Sequence, residues 1–378
     1  MKKYKICVYA IAKNEMKFID RWYNSVKEAD YVCVLDTGST DGSFEKFKSL
    51  GIITAQKNYK TFRFDIARND SMALIPPDTD ICVCVDIDEV FVSGWSKILC
   101  SSWNDSVGRA RYRYTWNFNP DGSEGVVFMA DKVHKYGLFK WKYPVHEVLT
   151  ETTNKTYETI SLPNIQLNHL ADNLKSRSSY LPLLELSVKE NPLDDRNVHY
   201  LGREYMFHGD YKLAIKTLKT HLNLPTANWD AERCASLRYI ANCYGNMAEI
   251  NKKNNKSGTH FTKLQEKYYM LAILECPYVR EPYYELALFY YNKKQFLKSA
   301  YTFNQMFKIN DRFLNYMSTP VCWGSLPYDY LSLCYYELKD YKKAITAVTT
   351  AINLNKTDER LKNNLEIFKN CLYKTKKI

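Results

Sequence analysis

The residues best equipped for chemistry fall in short polar runs in the first half of the chain. The densest is Asp86-Ile87-Asp88-Glu89, directly behind the apolar residues 81–85. Three carboxyl groups at the end of a buried strand repel one another unless a cation neutralises them. Hard oxygen ligands suit Mg²⁺ or Mn²⁺, which would bridge the protein to a diphosphate. The plain alternative is a solvated loop or a helix-capping cluster. Val145-His146-Glu147 follows the aromatic and basic run Phe139-Lys140-Trp141-Lys142-Tyr143. A lone histidine is usually packed or solvated, but beside an acidic cluster neutral His146 would join Asp86 and Asp88 around one metal. Two further runs suit a ligand. Ala12-Lys13-Asn14-Glu15 is a polar turn that would hold a base or ribose, or else a helix start capped by Asn14. Asp36-Thr37-Gly38-Ser39-Thr40-Asp41-Gly42 would let a ligand approach its backbone closely, or is an ordinary turn.

These runs need a scaffold. Residues 5–12, 31–35 and 81–85 read as buried strands. Residues 16–28 have helical spacing (Phe18, Ile19, Trp22, Val26), and 43–50 and 66–74 read as helices. Alternating strands and helices predict an α/β domain with a Rossmann-like, mostly parallel sheet, whose ligands lie past the carboxyl ends of the strands. The stretch 109–121, with Tyr112, Tyr114 and Trp116, either stacks on a sugar or shows the alternation of a half-buried strand.

From about Asn197 the character changes to tyrosine-rich helices with a repeat. Leu201, Gly202, Tyr205, Tyr211, Ala214 and Leu218 recur in kind as Leu286, Ala287, Tyr290, Phe296, Ser299 and Phe303. They recur again as Leu331, Ser332, Tyr335, Tyr341, Ala344 and Val348. A broken copy starts at Ile240, Ala241 and Tyr244 and resumes at Tyr269, Ala272 and Cys276, after a polar insertion. Small residues where helices cross, flanked by bulky ones, are what stacked helical hairpins require. The pattern resembles tetratricopeptide repeats.

The whole-chain numbers agree. At 378 residues two domains are expected, and 46% apolar with 25% charged residues excludes wholesale disorder. The net charge of +11 is spread along the chain. It suits a nucleoside diphosphate at least as well as nucleic acid, or is simply a lysine-rich surface; no nucleic-acid partner is expected. No run approaches the roughly 18 apolar residues of a membrane span. Residues 6–12 stop at Lys13 without a cleavage site, so they read as a strand and not a signal peptide. Eleven cysteines without a CxxC pair suggest packed, reduced thiols in a cytoplasmic protein.

Four runs taken together resemble, in order and spacing, family 2 glycosyltransferases of the GT-A fold. They are Ile11-Ala12-Lys13-Asn14-Glu15, residues 35–42, Phe64-Asp65-Ile66-Ala67-Arg68-Asn69, and Val85-Asp86-Ile87-Asp88-Glu89. Val145-His146-Glu147 follows where that family commonly has the same tripeptide. The layout, with its repeat tail, is similar to bacterial peptide S-glycosyltransferases that modify bacteriocins. Leu201-Gly202-Arg203-Glu204 and the stretch from Asn168-His169 to Arg177 resemble them too. The resemblance is specific to about Leu224 and architectural beyond.

It implies nucleotide contacts from Ala12, Lys13, Asn14, Glu15 and Asp36, with Asp65 and Arg68 bordering uridine and diphosphate. It implies a metal, Mn²⁺ or Mg²⁺, held by Asp88 and completed by His146, with Asp86 near the sugar or ribose. His169 and Arg177 would help close the donor site. Lys132 stands where relatives usually have arginine, and Thr37 where they usually have a second aspartate. The implied activity is transfer of a sugar from a nucleoside-diphosphate sugar, a UDP-sugar, to a peptide, protein or saccharide, with inversion. The cation would stabilise the leaving diphosphate. Glu147, or second Glu89, would take the proton of a hydroxyl acceptor; Glu147 alternatively orients His146. The expected divisions are a catalytic core (1–151), a linker and helical extension completing the site (152–193), and repeats (194–378), with a homodimer through the repeats left open. The rival readings are an interaction protein whose first domain has lost catalysis, and a nucleotidyltransferase, which would want a glycine-rich phosphate loop near the N-terminus.

Overall fold

Short apolar runs bounded by turn residues become the strands of the first half in the computed structural model, which describes residues 4–119, 122–171 and 180–375. In chain order these elements are β1 (Ile6–Ala12), α1 (Ile19–Val26), β2 (Tyr31–Asp36), α2 (Ser43–Ser49), β3 (Ile53–Gln56), α3 (Phe64–Met72), β4 (Ile81–Cys84) and β5 (Glu89–Phe91). They continue with α4 (Trp95–Ser102), β6 (Val107–Thr115), β7 (Val127–Lys135), β8 (Phe139–Lys142), β9 (Val148–Glu151), β10 (Glu158–His169) and α5 (Tyr180–Glu190). Eight of the strands form one sheet in the order β3-β2-β1-β4-β7-β6-β10-β5, and β8 pairs with β9 separately.

The sheet is mixed. β1, β2, β3 and β4 run parallel, as does β10 beside β6, but β7 is antiparallel to both β4 and β6, and β5 is antiparallel to β10. The parallel strands β1 and β4 are covered on both faces, so their sequences are unbroken apolar runs. On one face Ile19, Trp22, Phe47, Trp95 and Leu99 form the core; on the other, Cys7, Cys33, Cys82 and Cys84 pack with Phe139 and Trp141. All eleven cysteines are free thiols.

Two sequence expectations change here. The aromatic stretch is largely strand β6, and Tyr112 and Tyr114 point into the core at 1% and 3% exposure, so neither is a platform for a sugar; Trp116 is exposed. The segment read as a linker contains β10, an interior strand of the sheet. Its register slips between Leu162 and Gln166, where Pro163 lies. A proline cannot donate to a ladder, so it sits at the irregularity, and it hid the strand's alternation.

The second half is helical: α6 (Asp195–Phe207), α7 (Tyr211–Asn223), α8 (Asp230–Lys253), α9 (Thr259–Glu275), α10 (Glu281–Asn292), α11 (Phe296–Met306), α12 (Leu326–Glu337), α13 (Tyr341–Leu354) and α14 (Glu359–Thr375). Consecutive helices pack as hairpins, α6 with α7, α8 with α9, α10 with α11 and α12 with α13. The recurring small residues lie at the crossings: a Cβ on Gly202 would stand 2.6 Å from Leu218 Cγ. The turns repeat as well. Gly209, Lys294 and Lys339 occupy the same place in three hairpins, and all have left-handed φ (84°, 58° and 62°). By contacts the chain divides into two units, Met1–Glu190 with Leu314–Tyr316, and Asn191–Phe313 with Met317–Ile378. Among the described residues no helix is long and apolar enough to cross a membrane.

Candidate functional site

The turns after β1 and β2 are stitched into one structure. Asn14 takes a left-handed backbone (φ 56°); its N–H donates to Ser39 Oγ (2.8 Å), and its Oδ1 accepts from the Thr40 N–H (2.8 Å). Glu15 and Met16 donate their N–H groups to Ser43 Oγ and Asp41 Oδ2. The Thr37 N–H and hydroxyl both donate to the Ala12 carbonyl. Asp36 is fully buried. Its Oδ1 accepts from the N–H groups of Gly38 and Ser39 and from Gln56 Nε2, all within 2.9 Å, while Oδ2 is buried without a hydrogen-bond partner. Asp36 and Asn14 therefore build the turns, and Lys13 projects into solvent.

Past the end of β4 lies a buried ionic network. Arg68, only 4% exposed, donates to Glu147 through Nε, to Asp86 through both terminal nitrogens, and to Cys84 Sγ. Lys132 donates to Asp86 Oδ2 (2.9 Å) and Glu89 Oε1 (3.0 Å), and Tyr114 donates its hydroxyl proton to Glu89 (2.8 Å). Burial opposes ionisation of Asp86, but Arg68 and Lys132 outweigh it and hold the carboxyl well below the usual carboxylate range. Burial pushes Glu89 up. The carboxylates also secure their cations, raising Arg68 and Lys132 against the cost of burial.

This network redistributes the expected roles. Arg68 and Lys132 are engaged by carboxylates and so do not stand open toward a phosphate. Glu147 is the ion-pair partner of Arg68, and Glu89 is 1% exposed, so neither is placed to meet an acceptor hydroxyl. Asp65 is held by Arg63 through two parallel contacts of 3.0 and 2.9 Å, and Arg63 also reaches Glu190.

The expected metal trio is not gathered either: Asp86, Asp88 and His146 do not bring three ligand atoms within 4.8 Å of one another. His146 has a left-handed backbone (φ 50°) and turns its ring edge-on to Tyr180. The histidine at Asp88 is His169. The β5–β10 ladder pairs His169 with Glu89, and the Leu170 N–H donates to the Asp88 carbonyl. His169 Nε2 lies 3.5 Å from Asp88 Oδ2. Its Nδ1 is 2.9 Å from the Trp116 carbonyl, which fixes the proton on Nδ1 and aims Nε2 at the carboxylate. Burial lowers the basicity of this ring, but Asp88 overrides it and raises His169. Arg177 lies outside the described residues.

No family model matches the chain, and no curated protein matches it. Among solved structures it is similar to a thermophilic TPR protein of Thermus thermophilus, at 16% identity over 52% of this chain and 90% of that one, with a TM-score of 0.35. It is also similar to the C-terminal part of a TPR repeat-containing protein from Cytophaga hutchinsonii (14% identity, 52% and 67%, TM-score 0.39). A third is YrrB, described as a TPR protein with an unusual peptide-binding site (11% identity, 49% and 81%, TM-score 0.35).

Sequence reading missed the partnership of Asp88 with His169. The signal that would have found it is the ladder: once residues 158–169 are a strand closing on β5, their last residue must lie beside the acidic run.

Proposed function

We propose that the α/β half is a metal-assisted glycosyltransferase domain that binds a UDP-sugar past the carboxyl ends of β1, β2 and β4. The acceptor is a peptide or protein recognised by the helical hairpins, with a saccharide as the second choice. One observation supports this above the rest. The strand order reverses between β1 and β4, so the 12–15 turn and the Asp86–Asp88 run flank the crevice that open α/β sheets use for ligands.

Asp88 and His169 are a donor pair fit for Mn²⁺ before Mg²⁺, since one ligand is an imidazole whose other nitrogen is already anchored. Such a cation, when bound, offsets the charge that grows on a leaving diphosphate. The chain's own residues act by position. Arg68 and Lys132 keep Asp86 ionised and stationary, and its side chain retains 29% exposure, enough to accept a hydrogen bond from a ribose or sugar hydroxyl. The interlocked turns after β1 and β2 offer the base a pre-formed surface, which lowers the ordering cost of binding.

The test is calorimetry with Mn²⁺ and UDP or GDP, alongside release of nucleoside diphosphate from a panel of nucleotide sugars. UDP should bind at least roughly tenfold more tightly than GDP, about 1.4 kcal/mol. Asp88→Ala and His169→Gln should each abolish Mn²⁺-dependent binding and turnover, whereas His146→Gln should leave Mn²⁺-dependent binding in place. Equal affinity for the two nucleotides, or no release from any donor, would leave the helical half as the functional part of an interaction protein.

A further inference from the structure

Away from that site, three helices of the second half direct one histidine and two carboxylates at a common spot. Asp195 begins α6, His221 lies in the last turn of α7, and Glu232 lies in the first turn of α8. One ligand atom from each is within 4.8 Å of the other two. His221 is fully buried, Glu232 is 3% exposed, and Asp195 is half-buried on the solvent side.

Proton bookkeeping sharpens this. Ser236 Oγ lies 2.9 Å from Nδ1 of His221 and 2.7 Å from Nδ1 of His199. A hydroxyl carries one proton, so it donates to one ring and accepts from the other. On the far side of the His221 ring, Nε2 makes no hydrogen bond, although Glu232 Oε1 is 3.3 Å away. With the His221 proton on Nδ1, donated to Ser236, Nε2 is a bare lone pair facing the Glu232 carboxylate. An imidazole nitrogen and carboxylate oxygens converging out of water are a donor set that a divalent transition metal takes.

We propose that Asp195, His221 and Glu232 form a structural site for one divalent transition-metal ion, zinc by its donor set, clasping α6, α7 and α8. Imidazole nitrogen and carboxylate oxygen bind zinc at about 2.0–2.2 Å, and tetrahedral ligands at that radius stand roughly 3.4 Å apart. His221 Nε2 and Glu232 Oε1 are 3.3 Å apart. Three protein ligands leave the fourth position to water. Ser236 supplies the contact on the second ring nitrogen that a metal-bound imidazole commonly has.

The rival occupant is a proton, giving a buried His221–Glu232 ion pair. The test uses the full-length protein carrying Asp88→Asn and His169→Gln, so that an ion in the α/β half does not interfere. After treatment with a chelator it is titrated with Zn²⁺ alone and checked by elemental analysis. The expected result is one zinc per chain, retained on gel filtration, with a higher unfolding temperature than the metal-free form. Glu232→Gln should lose both effects, and so should Asp195→Asn, a half-buried change that spares the core. Ser236→Ala should weaken zinc binding about 10–100-fold without abolishing it. No zinc in that background, or undiminished zinc in both ligand variants, overturns the proposal. Lost stability in Glu232→Gln without any zinc bound to the parent does so too, and identifies the ion pair instead.

Discussion

The α/β half gathers its buried charge at one end of the sheet, where Arg68, Asp86, Glu89, Lys132 and Glu147 share contacts. The long helical stretch from α9 onward is organised mainly by volume, with Ala272, Ala287, Ala300 and Ala344 between bulky tyrosines and phenylalanines, and its buried charges, such as Arg280 and Asp329, are scattered. The difference lies in what each half must hold fixed. A charge network has one arrangement that satisfies every group, so it holds Asp86 in one position. Packed small residues fix the spacing of helices and leave the exposed side chains free to vary.

The largest expected effect strikes the network. Arg68→Leu leaves Glu147 without its cation and Asp86 with Lys132 alone, and should cost the α/β half about 3–5 kcal/mol. Hydrogen exchange should quicken in β1 and β4 while α10 to α13 stay protected; equal loss across both halves would break the distinction.

Next comes a pH dependence confined to the first half. His134 is fully buried, between the Tyr9 hydroxyl and the Lys135 carbonyl, and burial pushes it down to about 4 from 6.5. The unfolded chain binds this proton at higher pH than the folded one. Its contribution is therefore complete above about 6.5 and lost as pH falls toward 4, by about 3 kcal/mol in all. Unfolding of His134→Gln should show a shallower slope across that window.

In the helical half the matching change is steric. Gly202→Ala drives a Cβ against Leu218 and should cost about 1–3 kcal/mol, read as faster exchange in α6 and α7. The smallest effect is a gain. Lys339 holds a left-handed turn that Gly209 fills without strain, so Lys339→Gly should raise stability by up to about 1 kcal/mol in thermal unfolding.

Much of this was legible in the residues. Strands β1, β2 and β4 were visible because both faces are apolar, and the hairpins because their small residues recur at fixed offsets. The turn at Asp36 was visible as a turn, with its ligand role left open. What stayed hidden depended on long-range pairing. β10 carries polar residues and a proline, so it looked like a connection. Arg68 and Lys132 carry charges suited to a diphosphate or to a carboxylate, Glu147 one suited to a base or an ion pair, and only the fold decides which partner each meets. His146 sat in the expected tripeptide, while His169, expected only to help close the donor site, reaches Asp88 through the ladder.

That ladder has a consequence in time. β5 follows Asp88 directly, and its neighbour in the sheet is β10, far along the chain. During synthesis β1, β2 and β4 can collapse as soon as they emerge, yet Asp88 stays without its histidine until His169 has left the ribosome. Closing so long a loop is slow, and meanwhile β5 presents an unpaired edge. The growing chain therefore passes through an interval in which most of the sheet exists and the pairing of Asp88 with His169 does not.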